Sequence, residues 1–254
     1  MKYFFIHIIL TSYSFSSQNA ELLKTLQQAL VVLPFSKKVN LYQKTIKKIT
    51  QSKSTFFDTK KNSIVYLHGC AGIGPPEKFD MKFLASLGYL VLAPNSFARK
   101  NKQISCDAKN KVGGLHRGVL KLRLDEAKQA IDFLKKQSFI KNDIILAGFS
   151  EGAITTAKYK FENISKKLIL GWGCHAGWPE YIGLEGKQDL KILSIVADKD
   201  PWFQTSYLSG SCNAFMYNRP NARAMVLINN KHHITSLKLA RSQIKKFLLI
   251  QKTN

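Results

Sequence analysis

At 254 residues, with 45% apolar and 22% charged side chains, the chain has an ordinary globular composition and the length for one large core. No apolar run approaches the roughly 18 residues of a membrane span, so a spanning segment is excluded as an expectation. Lys and Arg number 39 against 16 Asp and Glu, formally +23; such a field attracts anionic partners, but the cations spread from Lys37 to Lys252 without an arginine cluster. They read as solvated faces, and a nucleic-acid partner is not expected.

In chain order, residues 1–20 read as an export signal. Lys2 gives the positive start, Tyr3 to Leu10 the apolar core, and Thr11 to Ala20 a small and polar stretch with cleavage points after Ser16 or Ala20. The expected location is therefore periplasmic or secreted, with one domain over 21–254. Glu21 to Leu30 has leucines at helical spacing. The lysine-rich stretch to Thr55 reads as one or two edge strands. Ile64 to Leu67 is a short buried strand, and Phe79 to Leu87 a helix closed by Gly88. Tyr89 to Ala93 is a strand stopped by Pro94. Asn95 to Leu115 is a long loop, Leu120 to Gln137 an amphipathic helix, and Ile144 onward a strand. Lys167 to Trp172, Lys191 to Ala197 and Ala224 to Ile228 are further strands. Thr235 to Ile250 is a last helix capped by Thr235 or Ser236. Strands alternating with helices predict an α/β fold, a mostly parallel sheet with helices on both faces.

The Ile144 strand runs into Gly148-Phe149-Ser150-Glu151-Gly152, and a helical pattern follows from Ala153 to Tyr159. A strand, a glycine-flanked serine and a helix form a nucleophile elbow, which lifts a hydroxyl above the sheet edge. It also aims the N–H of Glu151 at whatever Ser150 attacks. A serine at its free pKa is a poor nucleophile, so a histidine and a carboxylate must follow. Asp198 and Asp200 end one strand, and Asp200, stiffened by Pro201, is better placed to hold a histidine. His232 and His233 lie between the last strand and the last helix, and one of them is the expected base; adjacent histidines diverge, which argues against chelation. Gly69 to Gly74 form a glycine-rich turn whose N–H at Cys70 or Ala71, with that of Glu151, would bind an oxyanion. His68 could be a base, but its place before the turn makes it a brace. The turn lacks the spacing of a phosphate or dinucleotide loop. No metal or cofactor is expected.

Cys70, Cys106, Cys174 and Cys212 allow three pairings, and an exported chain permits disulfides. Cys174–Cys212 is the expected one, because both belong to loops at the site end of the sheet. The pocket is expected from the Asn95–Leu115 loop with Trp172, Trp178 and Trp202.

Several segments together resemble the dienelactone hydrolase family of α/β-hydrolases, in particular its exported bacterial branch. They are His68-Gly69-Cys70-Ala71-Gly72, Ala93-Pro94-Asn95-Ser96-Phe97-Ala98-Arg99, Cys106, Arg123 before an acidic pair, Gly148 to Gly152, Gly173-Cys174, Asp200-Pro201-Trp202 and His232-His233-Ile234. The likeness covers about residues 60 to 250. It implies the α/β-hydrolase fold and a triad of Ser150, Asp200 and His232, acting on a small acyl substrate. Ile234 stands where the family has an aromatic residue, which leaves His233 as a second base. Asn95 replaces a frequent Asp. Ser150 replaces the cysteine of the founding enzymes, so dienelactone is not the expected substrate. An ester, lactone or small acyl compound is. A peptidase of the prolyl-oligopeptidase type is the alternative, though there is no room for its extra domain. A non-catalytic binder of anionic surfaces is the other.

Overall fold

The computed structural model describes residues 18–34 and 60–249. Residues 1–17 of the expected signal, and most of the lysine-rich stretch read as edge strands, lie outside the described residues. Residues 18–27 form helix α1. The strands are β1 (Leu30–Val32), β2 (Lys61–Leu67), β3 (Leu90–Ala93), β4 (Cys106–Asp107), β5 (Val112–Gly113), β6 (Ile140–Phe149), β7 (Lys166–Leu170), β8 (Lys191–Ala197) and β9 (Ala222–Leu227). The remaining α-helices are α2 (Pro75–Ser86), α3 (Val119–Lys135), α4 (Glu151–Lys158) and α5 (Lys238–Leu249).

Seven strands form one sheet in the order β1-β3-β2-β6-β7-β8-β9. Every neighbour pair is parallel except β1 with β3, whose register sets Leu30 against Ala93. Parallel strands need crossovers, and helices supply them. The two-residue period of a strand then divides the apolar runs between two cores. Ile64 and Tyr66 of β2, with Ile145 and Ala147 of β6, face Met81 and Leu84 of α2 and Ala240, Ile244 and Leu248 of α5. Val65, Leu67, Ile144 and Leu146 face Leu26 of α1 and Ala127, Ile131 and Leu134 of α3. Ala153 and Ala157 of α4 close the same side over Ile169 and Ile192. Burying each large aliphatic side chain contributes about 1.5–3 kcal/mol.

Some boundaries differ from expectation. Helix α2 begins at Pro75 rather than Phe79, with proline in its first turn and the Glu77 carboxylate accepting the Gly74 N–H at 2.9 Å; proline suits that turn because its missing N–H has no helical partner there. The Asn95–Leu115 segment is ordered by a 3₁₀ turn (Ser96–Ala98) and the β4–β5 hairpin. The last helix begins at Lys238, after a 3₁₀ turn at Ile234–Ser236. Thr235 does not cap it, because its hydroxyl binds the Asp80 carboxylate.

Candidate functional site

The carboxyl ends of β2, β6, β8 and β9, all in one sheet with β7 between β6 and β8, deliver the residues of interest. At the end of β6, Ser150 sits at φ 55 and ψ −118, a conformation L-residues rarely hold without support. The support is close packing of backbone. A Cβ on Gly148 would stand 2.1 Å from the Gly152 carbonyl oxygen, and one on Gly152 would stand 2.0 Å from that of Leu67. Only glycine fits at either position. The Ser150 N–H is held by the Leu170 carbonyl at 2.9 Å. Ser150 is 8% exposed and lines a cavity of about 280 Å³.

Beyond β8, the buried Asp200 sets Oδ2 2.7 Å from His232 Nδ1, while its Oδ1 accepts the Trp202 N–H at 3.0 Å. Trp202 stacks on the His232 ring with centroids 5.2 Å apart, and Phe149, next to Ser150, lies 4.9 Å from it. With Phe203 at 5.7 Å, the imidazole is therefore held by one carboxylate and three rings. Among the described residues the Ser150 hydroxyl has no hydrogen-bond partner, His232 included; unliganded sites often hold this contact long. Asp198 is instead a turn residue, accepting the Asn229 N–H at 2.8 Å. His233 turns away to Asp80 of α2, at 2.7 Å. Asp80 is fully buried and also accepts the Tyr66 hydroxyl at 2.6 Å. Of the two adjacent histidines, His232 meets Asp200.

At the end of β2, the glycine-rich turn is tied from below. Glu77 accepts the N–H of Gly69 at 3.4 Å and of Gly74 at 2.9 Å, and the Gly72 N–H goes to the Gly69 carbonyl at 3.1 Å. Among the described residues no acceptor engages the N–H of Cys70, Ala71 or Glu151. Burial raises the Glu77 carboxyl above its ordinary value. His68 is a brace. The Gly69 carbonyl can only accept, so Nδ1 at 2.7 Å carries the proton, and Nε2 accepts the Ser96 N–H at 3.2 Å. Burial, and then the nearby Arg123 charge, hold His68 well below the usual histidine range, hence neutral.

Sequence reasoning gave Arg123 no role beyond a family match, and Glu151 only a backbone one. Both side chains are built into the floor of the site. Arg123, 2% exposed, donates to the His68 carbonyl at 2.6 Å and to Glu151 at 3.3 Å, and lies 3.7 Å from Glu126. Glu151 also accepts the Ser105 hydroxyl. Glu126 accepts the Ser96 hydroxyl at 2.5 Å and Arg99 at 2.9 Å. The signal for this network was a charged residue on the apolar stripe of α3.

Two disulfides frame the cavity. Cys174–Cys212 matches expectation, and Cys70–Cys106 ties the glycine-rich turn to the β4–β5 hairpin. In the loop-entropy account, closing loops with separations of 36 and 38 residues contributes about 4 kcal/mol each. Ser105, Gly113 and Gly114 of the 95–115 segment line the cavity, as do all three tryptophans.

The model of the Dienelactone hydrolase family matches residues 49–236. No curated protein matches the chain. Among solved structures, Est1E from Butyrivibrio proteoclasticus with ferulic acid bound has 14% identity over 89% of this chain and 95% of its own, with a TM-score of 0.58. The Pyrococcus furiosus esterase Pf2001 has 16% identity over 74% and 83%, with a TM-score of 0.52. The dienelactone hydrolase-like phosphotriesterase P91 from metagenomic libraries has 16% over 75% and 84%, with a TM-score of 0.53. At such identities these likenesses speak for the fold alone. The family match takes in the elbow, Asp200 and both histidines, and the chain belongs to the dienelactone hydrolase family, hydrolases that act on ester bonds.

Proposed function

We propose that the chain is a serine esterase or lactonase that works through an acyl-enzyme. Ser150 Oγ attacks the ester carbonyl as His232 Nε2 takes its proton. Asp200 holds the imidazole by Nδ1 and stabilises the imidazolium. The N–H groups of Glu151 and of Cys70 or Ala71 receive the oxyanion. His232 returns the proton to the leaving alcohol. Water then attacks the acyl-enzyme by the same route, with His232 as base, releasing the acid and restoring Ser150. The observation that carries the reading is the His232–Asp200 contact of 2.7 Å beside the strained elbow serine. The peptidase and surface-binding alternatives have no comparable support.

The test is hydrolysis of short acyl p-nitrophenyl esters, with organophosphonate labelling of the wild type. Ser150→Ala and His232→Ala should each lower kcat by roughly 10⁴-fold or more, and their effects should not add. An active wild type that loses nothing on Ser150→Ala overturns the mechanism.

The same reading places residues 21–254 in one exported domain. Lys2, the apolar Tyr3 to Leu10 segment and the two disulfides support it. Of the two cleavage points, that after Ser16 leaves α1, residues 18–27, whole, whereas that after Ala20 would cut into it. N-terminal sequencing from the native host should find the leader missing, and an intact Met1 would count against export.

A further inference from the structure

The cavity at Ser150 has a lining that ester cleavage alone does not explain. The chain carries 39 Lys and Arg, yet among the described residues none of them lines this cavity. Its walls include Trp172, Trp178, Tyr181, Trp202, Phe203 and Tyr207. The polar side-chain atoms of three of these walls are engaged with the protein, while the Trp202 indole N–H and the Tyr207 hydroxyl have no partner among the described residues. Trp172 Nε1–H donates to the His175 carbonyl at 3.1 Å, Trp178 Nε1–H to that of Gly114 at 3.2 Å, and the Tyr181 hydroxyl to that of Arg117 at 2.9 Å. An indole has a single donor, so both tryptophans have none left for a ligand. The Ser105 hydroxyl donates to Glu151, whose other oxygen takes Arg123 at 3.3 Å. Arg117, over the Trp178 ring at 4.7 Å, is itself paired with both carboxylate oxygens of Glu180. Apart from the His175 imidazole, what the cavity offers a ligand is ring surface without a Lys or Arg countercharge.

We propose, resting on the esterase reading, that the substrate is an ester carrying an uncharged aromatic ring, and that a carboxylate on that ring excludes it. A ring gains offset or edge contacts with the walls beyond its apolar area, an advantage of about 2- to 12-fold over a saturated ring of like size. A carboxylate entering the cavity loses its hydration, meets no Lys or Arg there and shares the lining with the Glu151 carboxylate, a loss on the order of 10²-fold or more.

The experiment compares kcat/KM within pairs, each ratio divided by the ratio of the two esters' alkaline hydrolysis rates. Ethyl 3-phenylpropanoate is set against ethyl 3-cyclohexylpropanoate, and benzyl acetate against cyclohexylmethyl acetate. The two pairs report which side of the ester the cavity holds. Ethyl 3-(4-carboxyphenyl)propanoate and 4-carboxybenzyl acetate test the charge. The expected result is a preference for the phenyl member in at least one pair, and collapse of the rate with its carboxylated analogue. Trp178→Leu should bring the phenyl-to-cyclohexyl ratio toward one. Equal or better use of the cyclohexyl member in both pairs, or undiminished turnover of the carboxylated esters, overturns the proposal. If that happens while an organophosphonate still labels Ser150 and ethyl butanoate is cleaved, the esterase reading survives. If nothing is labelled and no ester is cleaved, the esterase reading fails, and this proposal with it.

Discussion

Arg123→Met tests whether the floor of the site holds the glycine-rich turn in place. Methionine keeps much of the apolar stem and removes the guanidinium. The change strips a donor at 2.6 Å from the His68 carbonyl and one at 3.3 Å from Glu151, and takes the charge 3.7 Å from Glu126 away. Glu126 keeps Arg99 at 2.9 Å and Ser96, whereas Glu151 keeps only the Ser105 hydroxyl. A buried carboxylate that loses its cation costs about 3–5 kcal/mol. For a chain of this length that lowers Tm by roughly 6–20 °C, measurable by calorimetry with the disulfides intact. Because His68 leads directly into Cys70, the variant protein that still folds should lose kcat more than it raises KM. Arg123→Lys, one charge without the planar fork, should recover part of the stability and less of the rate. A Tm within about 2 °C of wild type, with unchanged kcat, would refute the reasoning.

Three further changes probe other parts of the fold. Burial, with Arg219 adding to it, pushes the Lys167 ammonium from 10.5 down to about 7; the unfolded chain then binds the extra proton between those values, so stability rises with pH by as much as about 4 kcal/mol from pH 7 to 10. Denaturant titrations should show that rise absent in Lys167→Met; matching profiles would mean that the carbonyls of Ala157, Tyr159 and Glu185, at 2.6–3.0 Å, keep the ammonium charged. Gly152→Ala brings a Cβ to 2.0 Å from the Leu67 oxygen and should cost about 3 kcal/mol or more in chemical denaturation; a neutral result would contradict the close packing of the elbow. His233→Ala removes one donor from Asp80 and should cost about 1–3 kcal/mol while activity stays within about tenfold of wild type; the opposite pattern, a dead His233→Ala beside an active His232→Ala, would exchange their roles.

What could be read along the chain was whatever depends on neighbours in sequence. Apolar runs marked the strands, because a strand buried on both faces has nothing else to show. The elbow was legible because Gly148, Ser150 and Gly152 form one local turn. Asp200 could be preferred over Asp198 because it lies further into the loop, with Pro201 stiffening the turn behind it. The start of α2 was misplaced although Pro75 and Pro76 signalled it; a proline pair reads as loop unless the first turn of a helix is considered. Beyond Asp200 with His232 and Cys174 with Cys212, partners remote in sequence were not legible. Asp80 meets His233 across 153 positions, and Arg123 meets His68 across 55. Nothing local marks either pair, since a lone acid or arginine on a helix is ordinarily solvated.

These remote partners follow one physical pattern. Acids are scarce in this chain, 16 in all. Those buried among the described residues are Glu77, Asp80, Glu126, Glu151 and Asp200. Each holds a segment that bears on Ser150. Glu77 takes N–H groups of the glycine-rich turn, and Glu126 and Glu151 anchor the arginine that grips His68. Asp80 and Asp200 hold adjacent histidines from opposite directions, fixing the loop between β9 and α5 at two points. A buried carboxylate unpaired with a donor is too costly to persist, so each constrains the loop it binds to a narrow set of positions. The loops around Ser150 are therefore set by buried ion pairs and charge-assisted hydrogen bonds, while among the described residues no Lys or Arg lines the cavity.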